Sequence, residues 1–246
     1  MYNITLIGTN HSEKGKCNSD ELYKIIEDIN PEVIFEEIPS IIFDMFYNGK
    51  CHFDEFHKIL KYRLPDNLLD RIDIFPLSET PLEVNCIRKY LQHYNIKNIP
   101  VDIVTDFEIS TKMEMMFGEF YKHDDVYKKL VDECKLLTEQ HGFDYLNSKN
   151  YLDLDEKMKL REKQLIESNC FNKNELLTIY ELSFKEIIDD RENAMLRNIY
   201  NYSKENVYNQ AVFLIGARHR KSIMQRIIKY DEASEIKLIW TMYGNR

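Results

Sequence analysis

The first forty residues constrain the fold most, because a strand, a helix and a second strand follow one another there. Residues 2–7 are apolar and rich in β-branched side chains, and Gly8 ends this run. Ser19 is a candidate N-cap for a helix with apolar residues at helical spacing, which Asn30-Pro31 stops. A second strand begins with residues 33–35. A strand–helix–strand unit of about 35 residues predicts two parallel strands joined by a right-handed crossover.

The rest of the chain supplies more strands near the C-terminus and a long helical middle. Residues 110–204 are charged, rich in Glu and Lys and almost free of Gly and Pro, with breaks near Gly142 and over 168–174. The other predicted elements are helices over 40–63, 81–95 and from His219, and strands over 100–106, 210–215 and 235–243. We therefore predict a single α/β domain over 1–246, with a mostly parallel central sheet built from βαβ units and a helical insertion or cap over 110–204.

The charge of the chain argues against two classes of partner. A formal net charge of −9 and a pI near 5.4 do not suit a nucleic acid or an anionic membrane, since phosphate binding relies on clustered Lys and Arg. Arg218, Arg220 and Lys221 flank His219 and form a basic patch sized for one anionic group. We expect a small-molecule or peptide substrate rather than nucleic acid or membrane; the sequence does not specify an oligomeric state.

The lack of a recognisable targeting signal and the usage of cysteine favour the cytoplasm. The first residues lack the pattern of a signal peptide, and no apolar run approaches the roughly 18 residues of a membrane span. The five cysteines are odd in number, widely spaced and without C-x-x-C, which is typical of reduced thiols.

Two Gly-x-x-His sequences, each following an apolar strand, are the main candidates for chemistry. They are residues 8–11 and 216–219, and they would deliver His11 and His219 to the carboxyl edge of the sheet, where open α/β sheets bind ligands. We expect each glycine to let the chain bend sharply away from the sheet. With 7 Gly and 7 His in 246 positions, chance supplies about 0.2 such spacings. Either histidine alone could simply cap a helix; the pair predicts a shared cleft.

Carboxylates and one arginine complete the candidate set. Glu36 and Glu37 emerge at the end of the second strand, where a carboxylate could ligate a metal, activate water or orient a histidine. Adjacent strand residues point to opposite faces, so at most one of them enters the site directly, and the phase of the strand favours Glu37. Arg191, in the helical sequence DRENAM, either lies on a solvated face or clamps an anionic group. Asp106 is a weaker candidate.

These motifs together resemble the TraB/PrgY–Tiki superfamily, which includes erythromycin esterase-like and ChaN-like relatives. The resemblance rests on the order and approximate spacing of four segments across nearly the whole chain: LIGTNH at 6–11, PEVIFEEIP at 31–39, DRENAM at 190–195 and VFLIGARH at 212–219. No Walker loop, G-x-G-x-x-G or G-x-S-x-G sequence is present, which disfavours nucleotide binding and serine hydrolysis.

The resemblance implies several activities. Tiki-type members are metal-dependent proteases whose two Gly-x-x-His histidines and second-strand Glu build the site, esterase-type members use a histidine as general base, and ChaN-like members are associated with haem. Carried over, His11, Glu37 and His219 become the site residues and metal ligands, and Arg191 becomes a substrate or transition-state anchor. Because Glu36 and Glu37 are adjacent, the resemblance does not specify which of the two corresponds to the family's second-strand Glu.

Two functions from different classes follow. The first is a hydrolase that cleaves an ester or amide bond, including a peptide bond, with Mn²⁺, Co²⁺ or Zn²⁺ held by His11, Glu37 and His219. A metal-free form would use His11 as general base, oriented by Glu36 or Glu37, with His219 stabilising charge. The second is a protein that sequesters haem, a peptide or another small ligand without turnover, and it has no need of Glu37 and Arg191 beside the histidines.

Overall fold

The computed structural model describes residues 2–49, 80–104, 107–168, 173–182 and 188–244, which contain a five-stranded parallel sheet flanked by helices. The strands are β1 (Tyr2–Thr9), β2 (Val33–Pro39), β3 (Lys97–Asp102), β4 (Gln210–Gly216) and β5 (Leu238–Met242). Their order in the sheet is β3-β2-β4-β1-β5, and each neighbouring pair is parallel. The α/β class and the parallel sheet predicted from the sequence are therefore confirmed.

Helices connect the strands, and the longest helical stretch lies between β3 and β4. The helices are α1 (Ser19–Ile29), α2 (Ser40–Tyr47), α3 (Leu82–His93), α4 (Phe107–His123), α5 (Asp125–Leu146), α6 (Lys149–Glu167), α7 (Lys173–Leu182), α8 (Arg191–Glu205) and α9 (Arg220–Ala233). In the described part of the chain, no helix combines the length and the apolar character needed to cross a bilayer.

The two strands of the first βαβ unit are parallel but not neighbours, because β4 lies between them. Residues 211–215 of β4 are all buried, as expected for a central parallel strand that is covered on both faces. Gly8 on one side pairs with Ile215, and Glu36 on the other side pairs with Leu214. The strand that carries the second Gly-x-x-His sequence therefore separates the other two site-bearing strands and touches both.

Each face of the sheet carries its own hydrophobic core. On the first face, Ile7 and Leu214 pack with α1, α3, the end of α5 and the start of α6. On the second face, Leu6 and Phe213 pack with α8 and α9. A third cluster lies away from the sheet and contains residues of α4, α5, α6 and α7. The C-terminal edge of the sheet thus lies between two different helical layers.

Several predicted boundaries differ from the structure for local reasons. Asn18, not Ser19, caps α1, since its side-chain oxygen accepts a hydrogen bond from the Glu21 amide at 2.9 Å. The helix predicted over 40–63 ends at Tyr47, where Asn48 and the positive-φ Gly49 follow (φ 62°). Its part beyond residue 49 lies outside the described residues.

Two further boundaries concern the ends of strands and helices near the site. β3 runs over Lys97–Asp102 rather than 100–106, and Asp106 lies outside the described residues. His219 ends a short 3-10 turn, and α9 begins one residue later. The predicted break at Gly142 is confirmed, since that residue leaves helical geometry with φ 55° and ψ −133°.

Candidate functional site

The C-terminal edge of the sheet brings His11, Glu37 and His219 around one point beside Gly216. His11 follows β1, Glu37 lies near the end of β2, and His219 follows β4, which separates the other two strands. A Cβ atom placed on Gly216 would lie 3.3 Å from Glu37 Oε2, 3.6 Å from His219 Cδ2 and 3.8 Å from His11 Nε2. The sheet order therefore gathers three side chains that are far apart in the sequence.

The two glycines differ in how closely neighbouring side chains approach them, and neither has a positive φ. The φ of Gly216 is −51°, and Gly8 is likewise absent from the positive-φ glycines. A Cβ atom on Gly8 would lie 2.3 Å from Arg220 Cδ, which is closer than atoms can approach. Neither glycine therefore uses the positive φ that glycine tolerates. At Gly8 the Arg220 side chain leaves no room for a Cβ atom, whereas at Gly216 the nearest atom, Glu37 Oε2, would lie 3.3 Å away.

His11 is held by a carboxylate from the helical layer on the first face of the sheet. Its Nδ1 lies 3.1 Å from Oε1 of Glu83 in α3, and the same oxygen accepts a 2.5 Å hydrogen bond from the Thr9 hydroxyl. The negative charge of buried Glu83 raises the pKa of His11 to about 9. The His11 side chain is 62% exposed, so water screens part of this attraction.

His219 is held in the same way by a carboxylate from the opposite face. Its Nδ1 lies 2.8 Å from Oε1 of Glu192 in α8. The other oxygen of Glu192 accepts hydrogen bonds from Ser222 Oγ (2.5 Å) and Arg226 Nε (2.8 Å). Burial opposes ionisation of Glu192, but the hydrogen bonds from His219 and Ser222 outweigh it and lower its pKa. Both imidazoles therefore bind a buried carboxylate through Nδ1.

Glu37 lies between the two histidines, and both of its oxygens are bound. Oε2 accepts the Gly216 amide at 2.5 Å, and Oε1 accepts Arg191 Nη2 at 2.6 Å and lies 3.6 Å from His219 Nε2. Burial opposes its charge, but the electrostatic interactions with His219, Arg191 and His11 lower the pKa of Glu37. Arg191 also binds both oxygens of Asp102 at the end of β3, so it fixes the position of Glu37.

Glu36 takes no part in this cluster, because it points to the other face of β2. Its carboxylate accepts hydrogen bonds from the Tyr47 hydroxyl (3.1 Å) and from Asn98 Nδ2 (2.9 Å). Burial raises the pKa of Glu36 to about 7. Of the two carboxylates that the sequence left open, Glu37 enters the cluster, as strand alternation favours. The carboxylate that orients His11 is Glu83, not Glu36 or Glu37.

The residues that sequence reasoning missed are the carboxylates behind the histidines. Glu192 is part of DRENAM and next to Arg191, so its motif was visible although its role was not. Asp102 lies inside the strand predicted over 100–106 and ends β3 in the structure, so its role was not predicted. Glu83 lies in the first turn of α3 and has no local sign of function, since only the packing of α3 against the His11 loop brings it there. The Leu82 amide donates to the His11 carbonyl at 3.0 Å and fixes that contact.

The predicted basic patch around His219 does not form an anion site. Arg218 binds Asp155 at 3.0 Å and Glu162 at 2.9 Å, and Lys221 lies 2.9 Å from Glu156. Arg220 is buried and turned inward, with its guanidinium on main-chain carbonyls. These cations are bound to groups of the protein itself. Their partners are carboxylates and carbonyls of the helical region, which lie too far away in the sequence to be predicted from the residues around His219.

The donor types around Gly216 fit a divalent cation, although they are not arranged around one. Two imidazoles and a carboxylate, with carboxylates on the outer histidine nitrogens, are the usual inner and outer ligands of such ions. Within the described ranges, no group of three or more His, Cys, Asp or Glu is arranged to hold a metal ion. Arg191 occupies Glu37 Oε1, so an ion would share that carboxylate with it.

The charge balance of the cluster also favours an additional positive charge at this position. Around the imidazoles, the described part of the chain places four buried carboxylates, Glu37, Glu83, Asp102 and Glu192, against two guanidinium groups, Arg191 and Arg226. Buried negative charge without a partner is costly. The excess of negative charge therefore favours protonated imidazoles or a bound cation.

Comparison of the chain with protein-family models, with curated proteins and with solved structures found no match. The superfamily suggested by the motifs therefore stays a prediction.

Proposed function

We propose that the chain is a hydrolase of the TraB/Tiki type that cleaves an ester or amide bond, including a peptide bond, at the cluster of His11, Glu37 and His219. One observation carries the proposal. Two imidazoles, each held through Nδ1 by a buried carboxylate, lie beside one point that Glu37 shares. This arrangement orients the Nε2 atoms of both rings for proton transfer or for ligation.

The convergence of Glu37 and Arg191 on this cluster supports a hydrolase over a protein that only sequesters haem or a peptide. A sequestering protein needs no buried carboxylate and arginine beside its histidines. Here the Arg191–Glu37 pair is 2.6 Å long and Glu37 lies 3.6 Å from His219. Haem remains an alternative ligand for the test below.

Without a metal, the charges around the two histidines assign them different tasks. Glu192 is neutralised by Arg226, whereas His11 is the cation bound to Glu83. We therefore assign the base to His219, whose Nε2 takes a proton from water while the water oxygen attacks the carbonyl carbon. His11 keeps a proton and gives it to the leaving oxygen or nitrogen as the bond to carbon breaks. This reverses the roles expected from the sequence.

If a divalent ion is bound, His11, Glu37 and His219 would hold it, with Mn²⁺, Co²⁺ and Zn²⁺ as candidates. Such an ion would lower the pKa of a bound water and polarise the substrate carbonyl. In that form Glu83 and Glu192 would orient the two imidazoles, and both rings would have to be neutral. Arg191 would hold Glu37 and, as the sequence suggested, serve as an anchor for the developing negative charge.

A metal-reconstitution experiment tests the proposal. The protein is stripped with chelator, and thermal stability and hydrolysis of generic ester and peptide substrates are measured with Mn²⁺, Co²⁺, Zn²⁺ and haem. We expect hydrolysis in at least one condition and a loss of 100-fold or more, on the order of other catalytic-residue deletions, in His11→Ala and in His219→Ala.

The matched control is His141→Ala, since His141 is exposed on α5. It should leave hydrolysis unchanged. Hydrolysis that survives both site substitutions would show that the reaction occurs elsewhere. Hydrolysis of the stripped protein that no ion increases would exclude the metal form and leave the two-histidine form.

We also propose that this reaction takes place in the cytoplasm. The proposal rests on the odd, widely spaced cysteines, and the described ones, Cys17, Cys86 and Cys134, are free thiols.

A further inference from the structure

The first Gly-x-x-His loop is bound by the end of α5. The Gly8 amide donates to Asn147 Oδ1 at 2.7 Å, and Asn147 Nδ2 donates back to the Gly8 carbonyl at 2.9 Å. β5 ends beside this position, where the Tyr243 amide binds the Leu6 carbonyl. The Asn147 side chain thus continues the pairing of β1 beyond the last strand, and it is fully buried.

The second Gly-x-x-His loop is bound by the same end of α5. Arg220, next to His219, donates from Nη1 to the Leu146 carbonyl (2.7 Å) and from Nη2 to the Asn147 carbonyl (2.8 Å). It is 1% exposed, and among the described residues its hydrogen-bond partners are these carbonyls and no carboxylate. Its charge is stabilised instead by the carbonyl end of a helix, which is the negative end of the helix dipole.

The two connections meet at Gly8. The Arg220 side chain passes so close to Gly8 that a Cβ atom there would lie 2.3 Å from Arg220 Cδ and 3.2 Å from Asn147 Oδ1. Gly8, Asn147 and Arg220 are therefore packed as one buried unit. This unit links the strand that precedes His11 to the residue that follows His219.

The helical region holds both loops at additional points. The Lys16 amide, in the loop after His11, donates to the Glu139 carbonyl of α5 at 2.9 Å. Arg218, in the turn before His219, binds Asp155 and Glu162 of α6. The stretch predicted as an insertion or cap is thus attached directly to both histidine-bearing loops.

We infer that Asn147 and Arg220 are positioning residues, through which the end of α5 sets the distance between the His11 and His219 imidazoles. The inference rests on the proposed function for its assignment of these histidines as the reacting groups. Neither residue contacts the histidines by a hydrogen bond, so both act through the backbone. Misplacement of reacting groups by about 1 Å can cost about 100-fold in rate.

The test uses the full chain with Arg220→Lys and Asn147→Ser, which remove the bridging guanidinium and the carboxamide. The imidazole ¹H–¹⁵N signals of His11 and His219 are assigned from the spectra of the two alanine variants. We expect each positioning variant to shift or broaden both sets of signals, including those of the histidine on the loop that the substituted side chain does not hold. For any substrate that the wild type cleaves, kcat should fall about 10- to 100-fold with KM changed less than about 3-fold.

Arg161→Lys and Asn206→Ser are the matched controls, because Arg161 pairs with Asp124 and Asn206 caps the end of α8, both outside the cluster. They should leave both imidazole signals in place. Unchanged signals in the positioning variants, or changes restricted to the nearer histidine, would overturn the inference. The NMR readout needs no turnover, so coupled shifts in a protein without hydrolysis would support the positioning role and count against the proposed function.

A measurement on the wild type covers the case in which neither variant folds. The Gly8 amide should exchange with solvent as slowly as the amides of the central strands, because Asn147 holds it. Exchange at the rate of an exposed loop would overturn the inference.

Discussion

At the scale of single residues, the two histidines have the same geometry but different electrostatic surroundings. Glu192 binds His219 through one oxygen and Ser222 and Arg226 through the other. Glu83 accepts both of its hydrogen bonds on Oε1, and its buried Oε2 has no hydrogen-bond partner among the described atoms. Glu83 therefore depends on protonated His11 for its positive partner. Glu192 is paired with Arg226, whose charge is permanent.

This difference predicts a pH dependence for the metal-free protein. The pKa of His11 is about 9 in the folded chain against an ordinary value of 6.5. Protonation of a group whose folded pKa is raised stabilises the fold fully below about pH 6.5, and this contribution is lost as the pH rises through about 9. Urea unfolding between pH 6 and 10 should show this loss, and an NMR titration of His11 should show the raised midpoint.

Glu83→Gln is the control for this titration, since it removes the charge and keeps the shape. The His11 midpoint should return toward 6.5, and the loss of stability between pH 6.5 and 9 should shrink. Equal pH profiles for the wild type and Glu83→Gln would contradict the assignment of His11 as the cation of this pair.

At the scale of elements, the start of α8 serves both sides of the cluster. Consecutive residues of its first turn bind different partners: Arg191 binds Glu37 and Asp102, and Glu192 binds His219. One helix end thus fixes β2, β3 and the turn after β4 relative to one another.

Arg191→Lys tests this function of α8. A lysine keeps the charge but cannot bind both Asp102 oxygens and Glu37 together, because it lacks the planar fork of the guanidinium. We expect the free energy of unfolding to fall by about 1–3 kcal/mol, the cost of leaving buried acceptors unsatisfied, together with hydrolysis. Urea denaturation measures the first effect. Arg197→Lys, exposed on the same helix, is the control, and an equal response of the two variants would contradict the prediction.

At the scale of the whole molecule, buried ion pairs attach the helical region to the sheet. Arg218, in the turn after β4, pairs with Asp155 and Glu162, whose side chains are 2% and 3% exposed. Lys159 also pairs with Asp155, whereas among the described residues Glu162 keeps only the Tyr127 hydroxyl when Arg218 is removed. The stability of the attachment therefore depends most on the charge of Glu162.

A double-mutant cycle tests this attachment. Arg218→Met should lower the free energy of unfolding by about 2 kcal/mol, less than a fully buried pair would lose, because the arginine is partly exposed. Glu162→Gln in the same background should recover part of that loss, since it removes the unpaired charge. A purely additive cycle, measured by denaturant unfolding, would contradict a direct coupling of the two residues.

Local patterns predicted the elements that depend on local chemistry. The stop at Asn30 and the break at Gly142 agree with the structure. The apolar runs before Gly8 and Gly216 form β1 and β4, although these strands continue to Thr9 and Gly216. The predicted boundaries were wrong where contacts distant in the sequence set the limits of an element. The strand predicted from residue 100 begins at Lys97, because that residue pairs with Val33 of β2.

The sequence by itself determined that His11 and His219 follow strands, and alternation along β2 favoured Glu37 over Glu36. These are consequences of backbone geometry and strand period, which act over a few residues. Only the tertiary structure decided that β4 lies between β1 and β2, that Glu83 and Glu192 hold the histidines, and that Asn147 and Arg220 join their loops. Such contacts depend on which buried surfaces pack together, and residues as far apart as Gly8 and Asn147 carry no local sign of their pairing.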